Sequence, residues 1–211
     1  MDFSMFDQTK KSSHVHNISK FMSLKNDAVV RTMSVLEFDM CFHLEYSPEI
    51  QSYTSQPNGF YYEFNNRQCR YTPDFNIVNS NGDETFIEVK HSSKIYEPNF
   101  RQRFASKQQF SLEQLNKKLI LITEKQIRIN PILNNLKLLH RYSGLQTISD
   151  IQYAILDVVR NSGKIRLHDI SMVLGITESE VLSGTLSWLS QGKIQADLKS
   201  DEISLETHVW C

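Results

Sequence analysis

Two short runs decide the reading of this chain: Tyr71-Thr72-Pro73-Asp74-Phe75 and Phe86-Ile87-Glu88-Val89-Lys90. Between them lies Asn79-Ser80-Asn81-Gly82-Asp83, a cluster of residues whose short polar side chains and tolerance of left-handed backbone reverse a chain tightly. The sequence therefore predicts a β-hairpin. Side chains alternate faces along a strand, so Phe86, Glu88 and Lys90 share one face while Ile87 and Val89 share the other. A hairpin symmetric about Asn81 sets residue 74 opposite residue 88. Asp74, Glu88 and Lys90 then form one patch.

Those residue types suit phosphodiester hydrolysis. The reaction needs a hard cation to polarise the phosphate and acidify a water, and Mg²⁺ is usually held by one or two carboxylates together with waters and substrate oxygens. Asp74 and Glu88 supply such oxygens, and the Val89 carbonyl can add one. Mn²⁺ is the expected substitute ion. Lys90 stands where it can orient or deprotonate the attacking water and offset charge on the phosphate. Glu-x-Lys alone would be uninformative, since exposed strands often alternate in this way. Pro73, the turn, and the apolar Ile87 and Val89 behind the patch set it apart from a solvated cross-strand charge cluster. His91 reads as a surface residue.

Upstream, the spacing of Met33, Glu37, Met40 and Leu44 predicts a helix over residues 31–46 with these side chains on one stripe, and Pro48 stops it. Glu37 is the anomaly, because a carboxylate within an apolar stripe is costly unless it is paired or bound to a metal. It can complete the acidic cluster. Strands are expected at 50–53, 60–64, 69–78, 85–91 and 119–123, with a basic helix over 98–116. Residues 1–30 read as an arm, 31–145 as an α/β nuclease domain and 146–211 as a second domain. In that second domain, helices over 151–161 and 167–174 precede a third that Thr177 and Glu180 open with a capping box. Runs at 194–198 and 203–209 follow. Three helices and a hairpin predict a winged helix.

Charge refines the picture. The formal net charge of the 211 residues is −1, too low for a protein that simply coats DNA. From Val89 to Arg128, however, nine basic residues face three acidic ones, a local balance of +6. A basic stretch can bind phosphates on a near-neutral protein, and Lys94, Arg101, Arg103 and Lys107 are its candidate DNA contacts. From Thr147 onward five basic residues face nine acidic ones, a balance of −4. Glu178 and Glu180 open the helix that would enter a DNA groove. The second domain is therefore expected to dock protein, with Lys164 and Arg166 the residues of the DNA-reading alternative. Trp188 and Trp210 read as packing residues. Three widely spaced cysteines suggest neither a disulfide framework nor a zinc site. No apolar run nears the roughly 18 residues of a membrane span, and the start of the chain lacks signal-peptide character. The expectation is a cytoplasmic protein without a membrane partner, located on the bacterial nucleoid when acting.

The Pro73, Asp74, Glu88 and Lys90 pattern resembles the PD-(D/E)xK nucleases of the restriction-endonuclease-like class. Five ordered stretches, NISKFMSLKN, SVLEFDMCFHLEYSPEIQSYTSQP, YTPDF, FIEVK and LILITEKQIR, resemble more specifically the TnsA family, the endonuclease subunits of heteromeric cut-and-paste transposons, including CRISPR-associated ones. The resemblance implies an active site of Glu37, Asp74, Glu88 and Lys90. Gln56 and Pro57 match a family Gln-Pro pair to which no role attaches. It also implies an enzyme that cleaves the 5′, non-transferred strands of double-stranded transposon ends. A DDE transposase, TnsB, would cut and join the 3′ ends, and an AAA+ regulator, TnsC, would contact the C-terminal domain. The rival readings are a stand-alone restriction or resolvase-like nuclease and a non-catalytic adaptor on a nuclease fold.

Overall fold

A computed structural model describes residues 18–144 and 147–211. The chain divides into two units, Met1–Arg128 and Ile129–Cys211. The first described residues alternate strictly: Phe21, Ser23, Val30 and Thr32 are buried, whereas Lys20, Met22, Val29 and Arg31 are exposed. That period of two builds an antiparallel hairpin of β1 (Ser19–Ser23) and β2 (Ala28–Thr32), with Phe21 opposite Val30. The expected N-terminal arm is therefore corrected over residues 19–30, and its remainder, residues 1–17, lies outside the described residues. The helix expected from Arg31 starts later, as α1 (Val35–Tyr46), because Ser34 accepts the Glu37 N–H at 3.1 Å as its N-cap. Met33 thus precedes the helix, while Glu37, Met40, Cys41 and Leu44 are buried along it.

Glu45, near the end of α1, is buried yet satisfied. It accepts the Ser23 and Tyr53 hydroxyls at 2.6 and 2.8 Å and the Leu24 and Lys25 amides at 2.8 Å each. The Lys25 ammonium donates to the carbonyls of Leu44, Ser47 and Ile50 at 2.6–2.9 Å, which gives a partner to the Leu44 carbonyl at the helix end and to two carbonyls beyond it. The turn of the β1–β2 hairpin is therefore fastened to the C-terminal end of α1. At the other end of the helix, the Met33 amide donates to Glu37 at 2.9 Å.

Next come β3 (Ile50–Ser55), β4 (Phe60–Phe64), β5 (Arg67–Tyr71), β6 (Phe75–Asn79) and β7 (Glu84–Val89), then α2 (Ser92–Ile95), α3 (Phe100–Leu115), β8 (Lys118–Ile122) and α4 (Glu124–Ile127). The central sheet runs β3-β6-β7-β8, antiparallel except for the parallel β7–β8 pair. β4 and β5 form a separate hairpin, turned at Asn65 and Asn66, which both adopt positive φ (51° and 57°). The single strand expected over 69–78 is corrected to two. Proline has no N–H to give a ladder, and at Pro73 the chain leaves the β4–β5 hairpin for the central sheet. Phe60, Tyr62, Tyr71, Phe86, Phe104 and Leu119 form a core that joins this hairpin, the sheet and α3. Each such side chain contributes roughly 1.5–3 kcal/mol on full burial.

The second unit starts earlier than the expected boundary at 145–146. α5 (Ile132–Arg141) belongs to it. Buried Asn135 donates to the carbonyls of Leu198 and Asp201 and accepts the Ile203 amide, all at 2.8–3.0 Å, so this helix is bonded to the C-terminal strand region. Then follow α6 (Asp150–Ser162), β9 (Ile165–Arg166), α7 (Leu167–Leu174), α8 (Glu178–Ser190), β10 (Gln195–Ala196) and β11 (His208–Trp210), with sheet order β10-β11-β9. The capping box forms as read: Thr177 accepts the Glu180 amide, and the Glu180 carboxylate takes the Thr177 amide and hydroxyl at 2.8 and 2.7 Å. Trp188 is buried, its indole N–H donating to the Gln152 carbonyl at 2.6 Å. Among the described residues no helix is long and apolar enough to cross a membrane.

Candidate active site

The hairpin takes the register its turn sets. Phe75 pairs with Ile87 and Asn76 with Phe86, pairs symmetric about Asn81. Asp74, one residue before β6, continues that register: its amide donates to the Ile87 carbonyl at 2.9 Å, and its Oδ2 accepts the Val89 amide at 2.7 Å. The carboxylate is therefore fixed on β7 directly beside Glu88.

Glu88 is buried, with 6% of its surface exposed, on a strand whose neighbours Phe86, Ile87 and Val89 are also buried. Its Oε2 accepts the Tyr71 hydroxyl at 2.6 Å. Its Oε1 faces two ammonium groups, Lys90 at 3.6 Å and Lys107 at 4.0 Å. The Lys107 ammonium also lies 3.8 Å from the centre of the Tyr71 ring, a favourable cation–π arrangement. Burial lowers the Lys107 pKa, with Glu88 opposing the shift. Burial and then Glu88 push the Tyr71 hydroxyl well above its ordinary range, so Tyr71 remains a proton donor to Glu88.

Gln56 supplies the link to α1. It holds a left-handed conformation (φ 47°), and its amide N–H donates to the Asp74 carbonyl at 2.8 Å. Its side-chain Nε2 reaches Asp74 Oδ1 at 3.4 Å and Glu37 Oε2 at 3.5 Å. One carboxamide thus spans the two acids. Glu37 is buried, but its oxygens also serve the helix start, Oε2 taking the Met33 amide and Oε1 the Ser34 hydroxyl at 2.8 Å.

Asp74 shows the electrostatic character of the site. Burial first, then the charges of Glu88 and Glu37, raise its pKa to about 8, against the stabilising Val89 amide and Lys90. Clustered carboxylates that cannot all stay ionised in a low-dielectric setting call for a proton or a cation. Among the described residues no three His, Cys, Asp or Glu side chains are grouped to hold an ion. The donor set is narrower, namely Asp74 and Glu88, and two carboxylates are what Mg²⁺ commonly takes from a protein.

The structure brings Glu37, Asp74, Glu88, Val89, Lys90 and Gln56 to one place and disperses the basic candidates. Lys94 and Arg101 are exposed on and before α3, Lys94 paired with Glu97 at 3.5 Å. Arg103 lies over the Phe64 ring at 5.5 Å. Lys107, alone among these candidate DNA contacts, lies beside the carboxylates, because α3 packs its side chain, 16% exposed, against Tyr71 and Glu88. Tyr71 was missed by reasoning from sequence. Strand alternation could not have found it: Tyr71 lies three positions before Asp74, which alternation would put on the opposite face, and the chain breaks between strands at Pro73.

A four-stranded mixed sheet carrying two carboxylates on adjacent chain segments, with a lysine two residues beyond the second, is a nuclease-like α/β core. Residues 47–124 match the family model for the TnsA-like endonuclease N terminal domain, which supports a TnsA-like nuclease. The matched stretch contains Gln56, Asp74, Glu88 and Lys90, whereas Glu37 lies on the helix before it. No curated protein matches the chain.

Proposed function

We propose that the protein is a Mg²⁺-dependent DNA endonuclease that cuts the 5′, non-transferred strands at transposon ends. In this reading it works with a DDE transposase of the TnsB kind and an AAA+ regulator of the TnsC kind. The observation that carries the proposal is the placing of Asp74 directly beside buried Glu88, which faces two lysines, a concentration of charge that costs stability unless it is compensated. Asp74 and Glu88 would hold the ion, with Glu37 and the Val89 carbonyl as further donors, and it would polarise the scissile phosphate and acidify a water. The remaining groups have their own tasks. The Val89 amide fixes Asp74, and the Tyr71 hydroxyl fixes Glu88. Gln56 holds Asp74 in line with α1. Lys90, the more exposed lysine, orients the water, and the more enclosed Lys107 offsets negative charge on the phosphate.

For the second unit the helix–strand–helix–helix–hairpin order supports a winged-helix reading, and charge supports protein docking. Arg166, one of the two cations that would read DNA, is held by Asp169 at 2.9 Å and Glu206 at 3.2 Å, and Lys164 lies over the Trp210 ring at 5.6 Å. Calorimetric titration with Mg²⁺ and Mn²⁺ tests the metal assignment. Wild type is expected to bind, and Asp74→Ala and Glu88→Ala to lose at least about tenfold in affinity. Equal binding by all three would remove these carboxylates from the metal site and leave the adaptor reading.

A further inference from the structure

The outward face of the β1–β2 hairpin is chemically unlike a merely solvated strand pair. It carries Lys20 directly opposite Arg31 and Met22 directly opposite Val29. All four are exposed, with Met22 at 47% and Val29 at 53%. Like charges placed opposite one another across a ladder repel. Among the described residues neither Lys20 nor Arg31 has an ion-pair partner, and the only acid in the hairpin, Asp27, sits at the far turn. The inner face packs on α1, through Phe21 against Phe38 and Phe42 at 5.8 and 5.1 Å.

The position of the hairpin matters as much as its charge. Its turn is bonded to Glu45 at one end of α1, and its open end runs through Met33 into Glu37 at the other. The Lys20–Arg31 pair is therefore at the end nearest the carboxylates, and Met22 and Val29 lie further out. A two-stranded ribbon is of a width that a B-DNA major groove admits, and paired cations flanked by apolar side chains suit phosphates and the sugar edge beside them.

We propose that this face of the β1–β2 hairpin is a second DNA-contacting surface, which grips the phosphate backbone of the duplex beside the cleavage site. The proposal rests on the nuclease reading and extends it, since the basic stretch read from sequence lies wholly on the other side of the hairpin's sequence, from Val89 onward. Lys20 and Arg31 hold adjacent backbone phosphates, which relieves their mutual repulsion. Met22 and Val29 exclude water at the margin of the contact.

The test measures binding of the full chain to a labelled mixed-sequence duplex in EDTA, by fluorescence anisotropy. Between 50 and 200 mM salt, losing two phosphate contacts is expected to reduce the slope of log affinity against log salt by about 1.8, so that the salt penalty shrinks about tenfold. Lys20→Ala/Arg31→Ala should show that reduction with weaker binding at low salt. The exchange Lys20→Arg/Arg31→Lys should retain the wild-type slope, which guards against a folding artefact. Cleavage by Asp74→Ala tests the nuclease reading by itself, so the hairpin proposal and that reading can fail separately. An alanine pair with unchanged slope and affinity overturns the proposal. So does a wild-type chain that does not bind duplex, or a Met22→Ser/Val29→Ser chain that loses self-association while binding DNA normally, which would make the face a contact between copies.

Discussion

Removing the charge of Asp74 should stabilise the metal-free protein, by an amount that grows with pH. The carboxyl titrates near 8 in the fold because burial and the charges of Glu88 and Glu37 oppose its ionisation, whereas in an unfolded chain it titrates near 4. Between those values the folded state holds a proton that the unfolded chain has released. Its stability therefore falls as pH rises through that window and levels off above about 8. One proton corresponds to a slope of about 1.4 kcal/mol per pH unit. Asn at position 74 imitates the protonated carboxyl and abolishes that slope, so Asp74→Asn should gain up to about 3 kcal/mol on wild type between pH 5 and 7. Urea unfolding in EDTA, followed by far-UV circular dichroism, measures this. Both tryptophans, Trp188 and Trp210, lie in the second unit, so the tryptophan fluorescence transition serves as an internal control that should respond equally in both proteins. Saturating Mg²⁺ should flatten the wild-type slope, because the ion takes the place of the proton. Parallel pH dependences for wild type and Asp74→Asn in EDTA would refute the electrostatic account of this site.

Other perturbations follow from the same contacts. Tyr71→Phe leaves buried Glu88 Oε2 without its 2.6 Å donor, and should cost roughly 1–3 kcal/mol in unfolding experiments and reduce cleavage. Lys107→Ala removes the enclosed ammonium near Glu88, and should lower the cleavage rate more than it weakens duplex binding, in contrast to Arg101→Ala, whose exposed charge should affect binding alone. Glu45→Ala strips four donors of their acceptor. It should destabilise the first unit by about 3 kcal/mol and expose the β1–β2 turn to limited proteolysis. In the second unit, a methyl added at Gly184 would stand 2.6 Å from the buried Ile155 Cδ1, so Gly184→Ala should cost about 1–3 kcal/mol by overpacking α6 against α8, read as a lower melting temperature.

The parts of this protein that were legible in its sequence are those governed by local rules. The turn from Asn79 to Asp83 fixed a register, and that register alone placed Asp74 beside Glu88. The Thr177–Glu180 box marked the start of α8 because the capping contacts span only three residues. What stayed hidden depended on contacts across the fold. The N-terminal hairpin looked like an arm because both its faces mix apolar and polar residues, Phe21 and Val30 with Ser23 and Thr32 inside and Met22 and Val29 with Lys20 and Arg31 outside, so no apolar face stands out. α5 was not anticipated, and its membership in the second unit rests on Asn135 bonds to residues more than sixty positions away. Lys107 could be counted as a charge, but only the packing of α3 on Tyr71 turns it toward the carboxylates. Gln56 shows the same limit, since its position in the sequence gave no role, and the fold places its amide between Glu37 and Asp74.

The most direct measurement is Mg²⁺-dependent cleavage of transposon-end duplex labelled separately on each strand, in the presence of the partner DDE transposase, with wild type compared with Asp74→Ala. The account predicts that wild type cuts the 5′, non-transferred strand and that Asp74→Ala leaves that strand whole while the partner still cuts the other. Equal cutting of the 5′ strand by both proteins, or none by either beside an active partner, would contradict it.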